Sequence, residues 1–166
     1  MTGDFTRLEL LTALIIQGSQ VMTIQPGSFQ TLTNLLELSL YGNKISRLEA
    51  ETFRGLAKLK VLNLDNNRLH YNDGAAFVGL TRLRKLSLNK NCLSSIPRGT
   101  DQTHQPLELM MTYNPITSII GVEELKHISR LILSRNGILC DCRLREMKRW
   151  MLMNKHLQWS ITCEHP

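Results

Sequence analysis

The chain has 166 residues, 42% of them apolar, and a formal net charge of +6. That length and apolar share suffice for one domain with a sizeable core, and no linker-like stretch divides the chain. The basic balance admits acidic partners such as sulfated glycans or anionic lipid, but no aromatic interleaving supports a nucleic-acid partner.

The first apolar stretch runs from Leu8 to Ile16 behind Arg7. It has the look of a signal-peptide core, yet Glu9 interrupts it and it is too short to span a bilayer. Its leucines obey another rule. Leu11, Leu35, Leu59 and Leu83 stand 24 apart, as do Phe5, Phe29, Phe53 and Phe77. A fixed period of this length predicts a stack of like supersecondary units, and such stacks usually serve as binding surfaces. Phe5 and Leu8 stand in phase with Phe29 and Leu32, so the chain is expected to begin inside an earlier unit with no N-terminal cap.

Six units align on L-x-x-L-x-L-x-x-N-x-L, with second and third leucine slots at 14/16, 38/40, 62/64, 86/88, 109/111 and 131/133. Of the 30 slots, 28 fit and only Ser19 and Pro106 depart, too regular for chance. Later units shorten: Leu83 to Pro106 is 23 residues and Pro106 to Ile128 is 22. Each Leu-x-Leu reads as a short strand with alternate side chains turned inward. One unit cannot bury its apolar side, whereas stacked units form a continuous core. The Phe29, Phe53 and Phe77 series predicts a second buried column towards the convex side, where truncation to Ala would cost about 3–5 kcal/mol. The segment Pro97–Gln105 lacks the Phe and Leu of the other tails and predicts a loosely packed convex loop. Asn72 stands where an apolar residue is expected, and Cys92 reads as a free, partly buried thiol.

This pattern resembles the leucine-rich repeat family over almost the whole chain, and its Phe- and Leu-bearing tails resemble the class typical of animal extracellular proteins. The resemblance implies an α/β right-handed solenoid with a curved parallel sheet on its concave face. It also implies that Asn43, Asn67, Asn91, Asn114 and Asn136 bond backbone groups of adjacent turns.

After the sixth unit comes Cys140-Asp141-Cys142, then an amphipathic segment from Arg143 to Met153 with Leu144, Met147, Trp150 and Met151 on one face, then Cys163 and Pro166. This is similar to the cysteine-rich C-terminal flanking cap of extracellular members such as Slit, Toll-like and neurotrophin receptor ectodomains. The division expected is repeats over 1–138 and a truncated cap over 139–166. By that resemblance Cys140 pairs with Cys163, and Cys142 awaits a partner the chain does not contain. A zinc site of Cys140, Cys142, His156 and Cys163 is the competing reading, although zinc sites prefer two to four residues between the first two cysteines. The disulfide reading implies an extracellular, secreted or cell-surface domain, with any membrane anchor outside this segment.

No phosphate loop, G-x-G-x-x-G, H-E-x-x-H or Cys/His nucleophile pair occurs, so neither an enzyme nor a cofactor is expected. Binding residues are sought between the leucines, where side chains face outward on the concave sheet. Tyr41, Asp65, Lys85, Asn89 and Lys90 form a mixed polar patch over units two to four. Met110, Tyr113, Arg130, Ile132 and Arg135 form an amphipathic patch over units five and six, with Met110 and Ile132 expected to be exposed. Tyr and Arg are enriched at interface hot spots, which favours the second patch and a protein ligand. The functions this admits are an adhesion or signalling receptor ectodomain, an innate-immune or antigen receptor, and a matrix protein. The last would bind sulfated glycans through Arg145, Lys148 and Arg149, which otherwise form the solvated side of the amphipathic segment.

Overall fold

The computed structural model describes residues 8–117, 119, 125–139, 145–154 and 158–164. In chain order its elements are β1 (Ala13–Ile15), β2 (Glu37–Ser39), β3 (Arg47–Leu48), β4 (Val61–Asn63), β5 (Tyr71–Asn72), β6 (Lys85–Ser87), β7 (Leu107–Met110), β8 (Ile128–Leu139), α1 (Arg145–Met153) and β9 (Gln158–Glu164). One strand per repeat pairs in parallel with the next, in the order β1-β2-β4-β6-β7-β8-β9. Register follows the repeat: Leu14, Leu38, Leu62, Leu86, Leu109 and Leu131 lie side by side across the sheet. The result is a right-handed solenoid with the sheet on its concave face. Its convex side is made of turns and the small β3–β5 pair.

The leucines do what their spacing predicts. Leu38, Leu62, Leu86, Leu109 and Leu131 are buried, and so are Leu40, Leu64, Leu88, Met111 and Leu133 one step on. Behind them Phe29 stacks on Phe53 at 6.4 Å between ring centroids, and Phe53 on Phe77 at 5.9 Å.

Five asparagines tie successive turns together. The Asn67 amide donates to the carbonyls of Leu40 and Leu64, at 2.9 and 3.0 Å, and its Oδ1 accepts from the Ile45 N–H. Asn43, Asn91, Asn114 and Asn136 repeat the pattern. Each thereby pairs polar backbone where the chain leaves a strand and would otherwise bury it unsatisfied.

Three expectations need correction. The Pro97–Gln105 segment is not loosely packed: it holds a 3-10 turn over Thr100–Gln102, and Pro97, Thr100 and Thr103 are buried. The Thr103 hydroxyl donates to the Leu83 carbonyl at 2.7 Å, and Thr100 Oγ1 lies 3.3 Å from His127 Nε2. Gly99 enters this turn at φ 78°, so close to Gly74 that an added Cβ would collide with the Gly74 carbonyl oxygen. Polar anchors thus replace the missing Phe. Cys92, expected to be partly buried, is exposed, since the ladder turns Asn91 and Leu93 inward on either side of it. Met110 and Ile132 are half-buried rather than exposed, because neighbouring strands flank them on the sheet.

The sheet does not stop at the sixth repeat. β9 pairs with β8 along Arg130–Leu133 and again at Ile138–Leu139, adding a seventh strand. Between them α1 leans Trp150 against the core and leaves Leu152 and Met153 exposed. Phe5, Cys140, Cys142, Arg143, Leu144 and His156 lie outside the described residues. So do the side chains of Arg145, Met147, Met151 and Cys163. Among the described residues no helix is long and apolar enough to cross a membrane.

Candidate functional site

The two predicted patches occupy one continuous surface but are built differently. In the first, Asp65 and Asn89 are turned to structural work. Asp65 Oδ1 accepts from the Ser87 hydroxyl and from the Asn89 N–H, both at 2.7 Å, and Oδ2 accepts from the Asn89 amide at 3.2 Å. Asn89 Oδ1 in turn accepts the Thr112 N–H at 2.7 Å. The pair forms a second, shorter ladder along the concave face, and a ligand would have to break it to reach these groups. Tyr41, Lys85 and Lys90 are exposed and remain available.

The second patch gathers around the strand exits. Gly18, Gly42, Asn66, Lys90, Tyr113 and Arg135 occupy equivalent positions, and all six have left-handed backbone, with φ between 53° and 68°. The geometry has a cause. From Gly18 to Tyr113, each N–H at this position reaches the carbonyl of the neighbouring repeat (Tyr41, Asp65, Asn89, Thr112, Ser134) at 2.8–3.2 Å, so the chain turns away without breaking the ladder. Glycine and asparagine suit that backbone, whereas for Lys90, Tyr113 and Arg135 it costs about 1–2 kcal/mol each. The Gly, Gly, Asn series at spacing 24 was the sequence signal for a left-handed column. The three larger residues follow in consecutive repeats and project from it exposed, Tyr113 at 52%.

Beside this ridge lies an apolar floor. Register places Met110 next to Ile132, between Ser87 on one side and Ser160 of β9 on the other. Beyond the floor Arg130 Nη1 stands 3.9 Å from Glu108 Oε2, with both side chains close to half exposed. The structure therefore brings Met110, Arg130, Ile132 and Arg135 onto adjacent strands, with Tyr113 at the exit of one, and adds Lys90 at the exit before it. Ser160, whose hydroxyl is 2.7 Å from that of Ser134, borders the surface. It was missed because its strand follows a helix and lies outside the repeat pattern.

Lys148 and Arg149 are exposed on α1, away from this surface in sequence and on a different element. Among the described residues no group of three His, Cys, Asp or Glu side chains is arranged to hold a metal.

Comparison with known proteins agrees with this architecture. No curated protein sequence matches the chain significantly. Among solved structures, a leucine-rich repeat protein of Leptospira interrogans is similar at 28% identity and a TM-score of 0.74 over 92% of this chain. Mouse RP105, in its complex with MD-1, is similar at 22% identity and a TM-score of 0.83 over 95% of this chain. The chain spans only 38% and 27% of the lengths of those two proteins. The family model for the leucine rich repeat matches residues 9–69 and 59–116, which carry four of the five asparagines, the whole Phe column and strands β1 to β7. The chain belongs to the leucine-rich repeat family, whose repeats are protein-interaction modules.

Proposed function

We propose that this chain is the recognition part of a secreted or cell-surface protein, and that it binds a protein ligand on the concave face of repeats four to six. The observation that carries this is the exit ridge. Lys90, Tyr113 and Arg135 accept a backbone conformation that glycine would adopt without penalty, and they stand exposed beside the Met110–Ile132 floor. Strained backbone under large exposed side chains points to a use for those side chains. A Tyr, two cations and an apolar floor form the residue mix of an interface hot spot. The similar fold of mouse RP105 is found in a complex with MD-1.

An extracellular setting belongs to the same reading. β9 sets Cys163 opposite Ile138, two residues before Cys140 in the chain, which supports a Cys140–Cys163 disulfide. Non-reducing peptide mapping of secreted protein is expected to recover the two cysteines linked.

The binding reading is tested by affinity capture from cell-surface and serum protein. Wild type is compared with the Tyr113→Ala/Arg130→Ala double variant, and bound proteins are quantified by mass spectrometry. The expected result is a protein held by wild type and lost by the variant at an unchanged melting temperature. Equal retention by both chains would overturn the proposal.

A further inference from the structure

The molecule carries a second charged surface, on the opposite edge of the sheet from the exit ridge. Here, at the leading edge, the chain turns into each strand. Lys58 and Arg82 occupy one repeat position, and Lys60 and Arg84 another two residues on. The Arg84 N–H donates to the Lys60 carbonyl at 2.9 Å, so these two residues sit on neighbouring rungs about 4.8 Å apart. The Lys85 N–H reaches the same carbonyl at 3.0 Å and brings a fifth cation from the adjoining strand. All five side chains are exposed.

Among the described residues, the ion pairs Arg47–Glu49, Arg54–Glu51 and Arg130–Glu108 include none of these five cations. Two of the cations bond to amide side chains. Lys58 Nζ donates to Asn34 Oδ1 at 2.7 Å, and Arg84 Nη2 donates to Gln105 Oε1 at 3.2 Å. These bonds orient the cations and leave their charge intact. The acids nearest in register are Glu37 and Glu108, on the concave side, and Glu108 already faces Arg130.

We infer that this leading edge binds a sulfated polysaccharide. Four exposed cations in two rows, with Lys85 beside them, match a chain that carries anionic groups at regular intervals. Arginine adds planar forks suited to bidentate oxyanion contact. A protein partner fits less well, because hot spots need desolvated aromatic or apolar anchors. Of the large exposed apolar side chains, Tyr41, Tyr71, Val78 and Tyr113 belong to other repeat positions, and Leu10, at the position of Lys58 and Arg82, lies two repeats before Lys58. A nucleic acid lacks the aromatic platform on which its bases would stack, and a membrane surface lacks an apolar face to enter it. This inference is independent of the concave-face reading of repeats four to six; of the leading-edge cations only Lys85 also belongs to the concave sheet.

The test uses the full chain and heparin as probe, measuring affinity by calorimetry across a salt series. Three proteins are compared: wild type, Lys60→Gln/Arg84→Gln, and Lys148→Gln/Arg149→Gln on α1. The expected result is at least a tenfold loss of heparin affinity and a shallower salt dependence for the edge variant. The α1 variant keeps wild-type affinity, and melting temperatures stay equal because all four side chains are exposed. A single Lys60→Gln variant repeats the measurement with a smaller change. Three outcomes would overturn the inference: undiminished affinity of the edge variants, an equal loss in the α1 variant, or competition by polyglutamate or phosphatidylserine vesicles as effective as heparin. The second outcome would mark the attraction as one of net charge alone.

Discussion

Repeats one to three and repeats four to six share one sheet but are held on their convex sides by different forces. In the earlier repeats a Phe and a Leu from each tail fill that side, and the three rings stack in register. In the later ones the aromatic column has ended at Phe77, and buried threonines bond back to the framework through Thr103–Leu83 and Thr100–His127. A bulge at Ser129, where Leu107 pairs with Ile128 and Glu108 with Arg130, absorbs the shorter repeat length, and the Ser129 hydroxyl donates to the Leu107 carbonyl. Apolar stacking tolerates small shifts because it is non-directional, whereas a buried hydrogen bond fails outright when its geometry is lost. The candidate ligand surface lies on the hydrogen-bonded half.

Substitutions can break that contrast. Phe53→Ala removes the ring with a neighbour on each face, and urea unfolding should register a loss of about 3–5 kcal/mol. Phe77→Ala, at the end of the column, is expected to lose less; equal losses would mean that the column continues by some other means. Gly99→Ala comes next. It combines a left-handed backbone with collision against Gly74, so its cost should exceed the roughly 1–2 kcal/mol of the backbone alone. A neutral result would show that the later tail is loose after all. Thr103→Val keeps the shape and deletes one donor, leaving the buried Leu83 carbonyl without that partner, at about 1–3 kcal/mol. The smallest effect has the opposite sign. Tyr113→Gly relieves the strained backbone and should stabilise the fold by up to about 1 kcal/mol while weakening ligand capture. If Tyr113→Gly destabilises instead, the ring is packed for structure and the ridge loses its functional meaning.

Much of this was legible in the residues because it depends on period alone. Spacing the leucines 24 apart dictates which side chains meet, so the strands and the Phe column followed from the sequence, and the Asn ladder followed from the resemblance to the repeat family. Where the period lapses, the pattern carries no instruction. Thr100 and Thr103 read as polar, yet they are buried because their hydroxyls find partners 20 and 27 residues away in sequence. β9 was invisible for the same reason, its register being set by β8 rather than by a repeat. The outward columns were correctly laid out, but which side chains would be consumed within the sheet was not. Asp65 and Asn89 bond along the solenoid, and only coordinates reveal that. The leading-edge cations were all in view, but no linear reading of charge brings residues 24 apart side by side.

The left-handed exit column has a consequence for how this protein can change. Its direction is fixed by backbone bonding between neighbouring turns, so any side chain can stand there once the roughly 1–2 kcal/mol of left-handed backbone is met. Gly18, Gly42, Asn66, Lys90, Tyr113 and Arg135 already show that range within one molecule. Such positions behave like movable type on a fixed bar: letters can be exchanged at a small energetic penalty while the bar stays in register. Lineages of this chain could therefore acquire new specificities by point substitution along the ridge, with no need to redesign the leucine core beneath it.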